Sequence, residues 1–400
     1  MLYRRCESNM PGKIYLITPM LVSMCLGGCR PESVETSQTN SDLFSVASSA
    51  EQVTTPENWT SVVSPRTFTF PTDHAAHDDH RIEWWYYTGH LEADSGRRFG
   101  YQLTFFRTGI DQTPTNPSTW AVRDLYTAHF AVSDIETQQH HCFQRNSRQG
   151  TGQAGAEANH YTVWNAHWKV ELDGECHRLQ ALEDAVGIDL RLCPEKPVVL
   201  HGDSGMSQKG QMTGNASHYY SFTRMATTGT VQIDGTEFRI QGHSWMDHEF
   251  STSFLEPDQV GWDWFSIQLD NGVDLMVYRM RRKDGTTDPF SSGTFVRKDG
   301  SSLHLTREQF QVTPTRTWTS GETQATYPLD WNIVIPDLGY ELVIQSVFDD
   351  QEMTTRDTTG ITYWEGAITV TGERGEDAVT GHGYMELTGY TGQGLGRLFD

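Results

Sequence analysis

At 400 residues the chain is longer than one hydrophobic core usually serves, so two domains are expected, each able to bury a core of its own. Its 52 acidic residues outnumber 30 basic ones, and a net charge of −22 repels phosphate backbones, which excludes nucleic acid as a partner. Twelve Trp and 36 Gly, with 11% aromatic residues, suit strands and tight turns better than long helices, so an all-β class is expected.

The first residues follow a separate logic. Arg4, Arg5 and Lys13 precede an apolar run, 14–26, that is too short to span a bilayer and reads as a signal peptide covering residues 1–28. The run ends in Leu26-Gly27-Gly28-Cys29, which resembles a bacterial lipobox, with Cys29 as the lipidated mature N-terminus. Arg30 rather than Asp follows the cysteine, a lipoprotein pattern that leans toward the outer membrane. Ser, Thr, Glu and Gln dominate the stretch up to residue 64, so 29–64 is expected to be a flexible tether from a periplasmic, membrane-anchored protein.

Beyond Phe68, short strand-like runs alternate with turn residues: 84–91, 99–107, 126–133, 177–181, 187–192, 230–233, 262–269, 274–280, 341–346 and 363–370. Asp234-Gly235, Asn271-Gly272, Asp284-Gly285 and Asp299-Gly300 are hairpin dipeptides. Around Asp184-Ala185, a two-residue-turn register sets Cys176 opposite Cys193 at a non-hydrogen-bonded site, where a disulfide could close the hairpin. In a slipped register the same two residues would remain free thiols.

An internal repeat organises the whole. Trp84-Trp85-Tyr86-Tyr87 with Leu91 overlays Trp262-Asp263-Trp264-Phe265 with Leu269 at an offset of 178. Gly242-His243-Ser244-Trp245-Met246-Asp247 overlays Gly381-His382-Gly383-Tyr384-Met385-Glu386 at an offset of 139, so the second copy is 39 residues shorter. Two diverged copies of one antiparallel barrel follow, one over 65–255 and one over 256–400.

Several aromatic blocks then occur in order: Glu83-Trp84-Trp85-Tyr86-Tyr87-Thr88-Gly89-His90-Leu91, Phe99-Gly100-Tyr101-Gln102-Leu103, Trp245-Met246-Asp247-His248-Glu249-Phe250, Gly261-Trp262-Asp263-Trp264-Phe265, Tyr363-Trp364-Glu365-Gly366 and Gly383-Tyr384-Met385-Glu386. From about Phe70 to Tyr390 the chain resembles the carotenoid 1,2-hydratase (hydroxyneurosporene synthase) and AttH-like family. The resemblance implies two lipocalin-like barrels enclosing an apolar small molecule, with no cofactor. It leaves two activities open: binding of a lipid or isoprenoid, in company with an ABC-type export permease, or addition of water to an isoprenoid double bond.

Hydrating an isolated alkene needs an acid that stays protonated near neutrality, and aromatic faces to hold the carbocation. Asp247 and Asp263 are the candidate acids, because each sits among tryptophans, and His243 and His248 are candidate proton carriers. Trp84, Tyr86, Trp245, Trp262 and Trp264 are the candidate ligand-binding aromatics. Strand alternation sends Asp247 and Glu249 to one face and His248 to the other, and all three could equally serve to bridge the two domains. The run Asp73-His74-Ala75-Ala76-His77-Asp78-Asp79-His80 carries enough imidazoles and carboxylates for a metal, yet such a loop is as readily just solvated, and no metal is assigned to it. No Gly-x-Ser-x-Gly elbow and no dinucleotide or P-loop signature is present.

If Cys29 carries the anchor, Cys29→Ser should move the protein from the membrane to the soluble periplasmic fraction. Fractionation followed by immunoblotting checks this, and continued membrane association would refute the lipobox reading.

Overall fold

Alternating apolar positions dictate the architecture seen in the computed structural model, which describes residues 59–392 apart from Thr119 and Phe254. Cys29 and the expected signal peptide and most of the tether lie outside the described residues. Among those described, the helical segments are three short 3-10 turns, Thr72–His74, Arg307–Gln309 and Pro336–Leu338.

The remaining order is carried by two antiparallel sheets. The first contains β1 (Ile82–Ala93), β2 (Arg98–Gly109), β3 (Asp124–Asp134), β4 (Gln139–Arg148), β5 (Ala154–Ala156), β6 (Thr162–Asn165), β7 (Trp168–Asp173), β8 (Cys176–Glu183), β9 (Val186–Pro194), β10 (Val199–Leu200), β11 (Met206–Gln208), β12 (Ala216–Ile233) and β13 (Thr236–Ser251). The second contains β14 (Gln259–Leu269), β15 (Asp274–Arg282), β16 (Ser292–Val296), β17 (Ser302–Leu305), β18 (Gln311–Thr319), β19 (Thr326–Ile335), β20 (Tyr340–Ser346), β21 (Glu352–Thr355), β22 (Ile361–Arg374) and β23 (Asp377–Leu387).

The strand orders repeat. The first sheet runs β4-β3-β2-β1-β13-β12-β9-β8-β7-β6-β5 and the second β17-β16-β15-β14-β23-β22-β20-β19-β18, so in each the opening strand pairs with the closing one. The first sheet curls until its end strands β4 and β5 meet, which makes it a nearly closed barrel. Asp184 takes a left-handed conformation in the β8–β9 turn, His177 pairs with Leu192, and Cys176 and Cys193 are joined by a disulfide.

Both barrel interiors are filled by side chains. Trp85, Tyr87, Phe105, Phe130, Trp168, Leu190 and Met246 lie in the first core, and Phe265, Leu329, Trp331, Ile344, Trp364 and Met385 in the second. Apolar side chains pack against one another inside each barrel. The room lies instead between the barrels.

The outward faces of β1, β12 and β13 pack on those of β14, β15, β22 and β23. There Tyr86, Tyr219 and Trp245 meet Trp264, Met276, Tyr278, Ala367 and Tyr384 in one buried apolar cluster. Asp274 fastens the contact, accepting from Arg224 and pairing with Lys196 Nζ, each at 2.7 Å. Because that carboxylate is fully buried, removing it would strand two cations in a low-dielectric setting.

Close backbone approach sets one clear mutational limit. A Cβ on Gly383 of β23 would stand 1.9 Å from the Ser266 carbonyl oxygen of β14, so these paired strands would have to separate. Gly383→Ala should cost about 2–4 kcal/mol and lower the melting temperature by several degrees. Gly321→Ala, where nothing lies within 4 Å, should leave it unchanged, and calorimetry of the two variants checks the contrast.

Candidate functional site

Period-two alternation builds the site from outward positions of the central strands. On β13, Met246, His248 and Phe250 turn into the first barrel, while Trp245, Asp247 and Glu249 face the second. On β1, Trp85 packs in the barrel core and Trp84 borders the space between barrels. On β14, Phe265 enters the second core while Trp262 and Trp264 face the first barrel. The result is a cavity of about 150 Å³ walled by Trp84, Tyr86, Phe106, Tyr219, Trp262, Trp264, Tyr278 and Tyr363, with Asp247, Glu249, Glu365, Glu386 and Lys209 among its polar residues.

The repeat is written into its walls. In the first sheet Asp247 stands between Tyr86 and Ser221. At the matching place in the second, Glu386 stands between Trp264 and Glu365. Each copy reaches across to the other: the Tyr86 hydroxyl donates to Glu365 Oε1 at 2.6 Å, and the Trp264 indole donates to the Tyr219 hydroxyl at 3.2 Å.

Three of the carboxyl groups are held well above their usual range. Burial pushes Asp247 up to about 7, against the pull of donors from Ser221, the Trp245 indole at 2.6 Å and the Tyr219 hydroxyl at 2.8 Å. Burial also lifts Glu386 to about 7, with Asp247 and Glu249 nearby raising it and a Trp262 hydrogen bond opposing. Glu365 is also held well above its usual range, first by complete burial and then by the charge of Glu386 across the strand pair. Its Oε1 accepts from Tyr86, so a proton held by this carboxyl sits on Oε2, which has no hydrogen-bond partner. Glu249 is compensated differently, by Lys209 Nζ at 3.0 Å and by the Ser217 hydroxyl.

The sequence-derived candidates divide. Asp247, Trp84, Tyr86, Trp262 and Trp264 border the cavity; Trp245 backs it by holding Asp247. Asp263 does not border it. That side chain lies on the other face of β14 from Trp262 and Trp264, paired with Arg279 at 2.7 Å and Arg281 at 3.2 Å and accepting from Tyr390 at 2.7 Å. His243 is also outside, half-buried and 3.3 Å from Glu195. His248 is inside the first barrel, stacked on Trp85 and bonded to Glu83 and Tyr220 at 2.8 and 2.7 Å, and burial holds it down to about 4.

Glu365, Glu386 and Lys209 were not singled out by sequence reasoning, which placed Glu249 on the face of Asp247 without a chemical role. Glu386 carried a readable signal, because the 139-residue offset places it on Asp247. Glu365 is its neighbour across β22 and β23, a pairing that only the register reveals.

From the histidine-rich segment His77, with Glu83 of β1 and His248 of β13, brings one ligand atom to within 4.8 Å of the others, a group among the described residues that could hold a metal ion. Both Glu83 oxygens are already taken by donors: Arg107 Nε at 3.0 Å, the His77 main-chain N–H, His77 Nδ1 at 2.8 Å and His248 Nε2 at 2.8 Å. With a guanidinium beside the carboxylate, these residues fit a hydrogen-bond network inside the first barrel better than a cation site.

A model of the family described as AttH-like matches residues 61–390. The chain belongs to the AttH-like family. The crystal structure of a protein assigned as AttH from Nitrosomonas europaea is 34% identical and superposes with a TM-score of 0.76, covering 83% of this chain and 99% of that one. Kievitone hydratase of Fusarium solani subsp. phaseoli is 24% identical over 216 residues, which amount to 52% of this AttH-like chain and 59% of that protein. The crystal structure of kievitone hydratase from Nectria haematococca shares the fold, with a TM-score of 0.64 and 18% identity over 85% of this chain and 99% of that one.

The buried carboxyls make stability depend on pH in a checkable way. A carboxyl raised from 3.8 to about 7 by folding contributes stability that is present below about 4 and lost as pH rises toward 7, up to about 4 kcal/mol for Asp247. Asp247→Asn removes this dependence, so the melting-temperature difference, wild type minus variant, should shrink between about pH 4 and pH 7 and level off above it. A constant difference across that range would mean that Asp247 titrates as an ordinary carboxylate.

Proposed function

We propose that this AttH-like protein is a hydratase, adding water across a carbon–carbon double bond of an apolar, isoprenoid-type substrate held between the barrels. The observation that carries the reading is Glu365: a fully buried carboxyl facing an aromatic cavity, with one oxygen anchored by Tyr86 and the other free. Similarity to a kievitone hydratase supports the reaction class.

The chemistry follows from the three carboxyls. Glu365 donates the Oε2 proton to the less substituted alkene carbon; the π electrons form the new C–H bond and leave a tertiary carbocation and a carboxylate. The faces of Trp84, Trp262 and Trp264 stabilise that cation by their quadrupoles. A water oxygen then bonds to the cationic carbon as its proton passes to Asp247, whose deprotonated form is stabilised by three donors. Burial, with like-charge repulsion from Glu386 added to it, keeps Glu365 protonated, and proton return from Asp247 to Glu365 restores the starting state. In the same reading Cys29 anchors the enzyme at an envelope membrane, where apolar substrates partition.

The test is incubation with a panel of prenylated aromatics and acyclic isoprenoids in ¹⁸O-labelled water, with mass spectrometry of the products. One labelled oxygen per product is expected, and Glu365→Gln should lower the rate by about 10²–10⁴. Because Asp247 must be ionised to accept the proton, kcat/KM should rise with pH through about 7 and fall again where Glu365 ionises. Retention of unaltered alkene across the panel, with tight binding, would favour a carrier over a hydratase.

A further inference from the structure

The cavity has a charge character that catalysis of alkene hydration does not by itself require. Four acidic side chains border it: Asp247 and Glu249 from β13, Glu365 from β22 and Glu386 from β23. Against them stands one cationic side chain, Lys209, from the loop before β12. His129 of β3 adds no charge near neutrality, since burial holds it down to about 3, and both ring nitrogens are engaged, by the Tyr363 hydroxyl at 2.8 Å and Thr358 at 3.3 Å. The phenols of Tyr86 and Tyr219 spend their protons on Glu365 and Asp247.

Lys209 shows how the wall treats an ammonium group. Its Nζ lies 3.0 Å from Glu249 Oε1, 5.0 Å from the centroid of the Tyr219 ring and 4.5 Å from that of Tyr278. Aromatic faces and a carboxylate thus replace its hydration shell. The same lining carries more of these ingredients than one cation uses: the rings of Trp84, Trp262 and Trp264 and the carboxyls of Asp247, Glu386 and Glu365 border it, and Glu365 Oε2 is fully buried and has no partner.

We propose that the cavity is a receptor for an alkyl-substituted ammonium ion, with the tryptophan faces around its methyl or methylene groups, Asp247 and Glu386 as its counter-charge and the unpartnered Glu365 Oε2 beside it. The ligand class is a small tertiary or quaternary amine with an apolar substituent, such as one made by N-methylation of an amine. The inference needs no turnover and stands apart from the hydratase reading, although a cavity tuned to a carbocation would have the same design. Entry of the cation favours the ionised carboxylates, so binding releases protons and strengthens as pH rises through the range where Asp247 and Glu386 titrate.

The test uses two probes of one shape, benzyltrimethylammonium and its neutral isostere neopentylbenzene, titrated against the whole protein by tryptophan fluorescence. Salt at about 0.15 M screens adventitious pairing with the acidic surface. At about pH 8 the ammonium should bind at least tenfold more tightly than the isostere, and about tenfold more tightly than it does itself at about pH 6, as expected for carboxyls titrating near 7. The isostere should show no pH dependence. In the Asp247→Asn, Glu386→Gln double variant, with folding verified by circular dichroism, the ratio of the two affinities should collapse to about threefold or less. Equal affinities for the two probes, an ammonium affinity flat with pH, a ratio that survives the double substitution, or no binding of either probe would each overturn the proposal. Labelled-product formation without ammonium selectivity would leave a hydratase and no amine receptor; the converse would leave the receptor and no hydratase.

Discussion

The central strands of this protein are buried on both faces, and the rest of the structure depends on that constraint. In an ordinary half-exposed sheet the outward residues meet water and may be charged at no cost. Here the outward faces of β1, β13, β14 and β23 meet one another, so each polar group on them needs a partner or must give up its charge. Asp274 takes the first course, with Arg224 and Lys196. Glu365 takes the second, and Asp247 and Glu386, lifted to about 7, lie between the two courses.

Duplication explains where these groups stand. Two barrels with the same strand order oppose the same outward face, so equivalent positions meet across the gap. The copies have diverged at one informative place: the residue beside Asp247 is Ser221, whereas the residue beside Glu386 is Glu365. One copy therefore presents a carboxylate surrounded by donors and the other a pair of adjacent carboxyls. The two environments differ by serine against glutamate at that one register position, and under the proposed hydration this difference would separate a proton acceptor from a proton donor.

Much of the fold was legible in the sequence for local physical reasons. Period-two runs, Asp-Gly and Asn-Gly dipeptides and the opening and closing aromatic blocks anticipated the strands, the hairpins and the repeat, and the turn at Asp184-Ala185 set Cys176 against Cys193. Strands such as Gln311–Thr319, with polar residues at most positions, gave no such signal. The site was half legible. Asp247 stood out by its aromatic neighbours, but the same criterion selected Asp263, whose flanking tryptophans at adjacent positions necessarily point to the opposite face. Glu365 was hidden because its significance comes from Glu386 on the neighbouring strand and Tyr86 in the other barrel. That the cavity lies between barrels follows from the docking of two outward faces, and a pattern read one strand at a time does not contain it.

First-with-last strand pairing has a consequence for how the molecule comes into being. Ile82 lies beside Ser251, and Leu269 beside Gly381, so each sheet joins at its centre only when its closing hairpin arrives. Loop-closure entropy makes such distant pairings slow relative to the local hairpins on either side. The strands that close the sheets, β13 and β23, are also those that carry Asp247 and Glu386. The walls of the cavity between the barrels are thus completed only by the long-range closure of each sheet, after the local hairpins have formed.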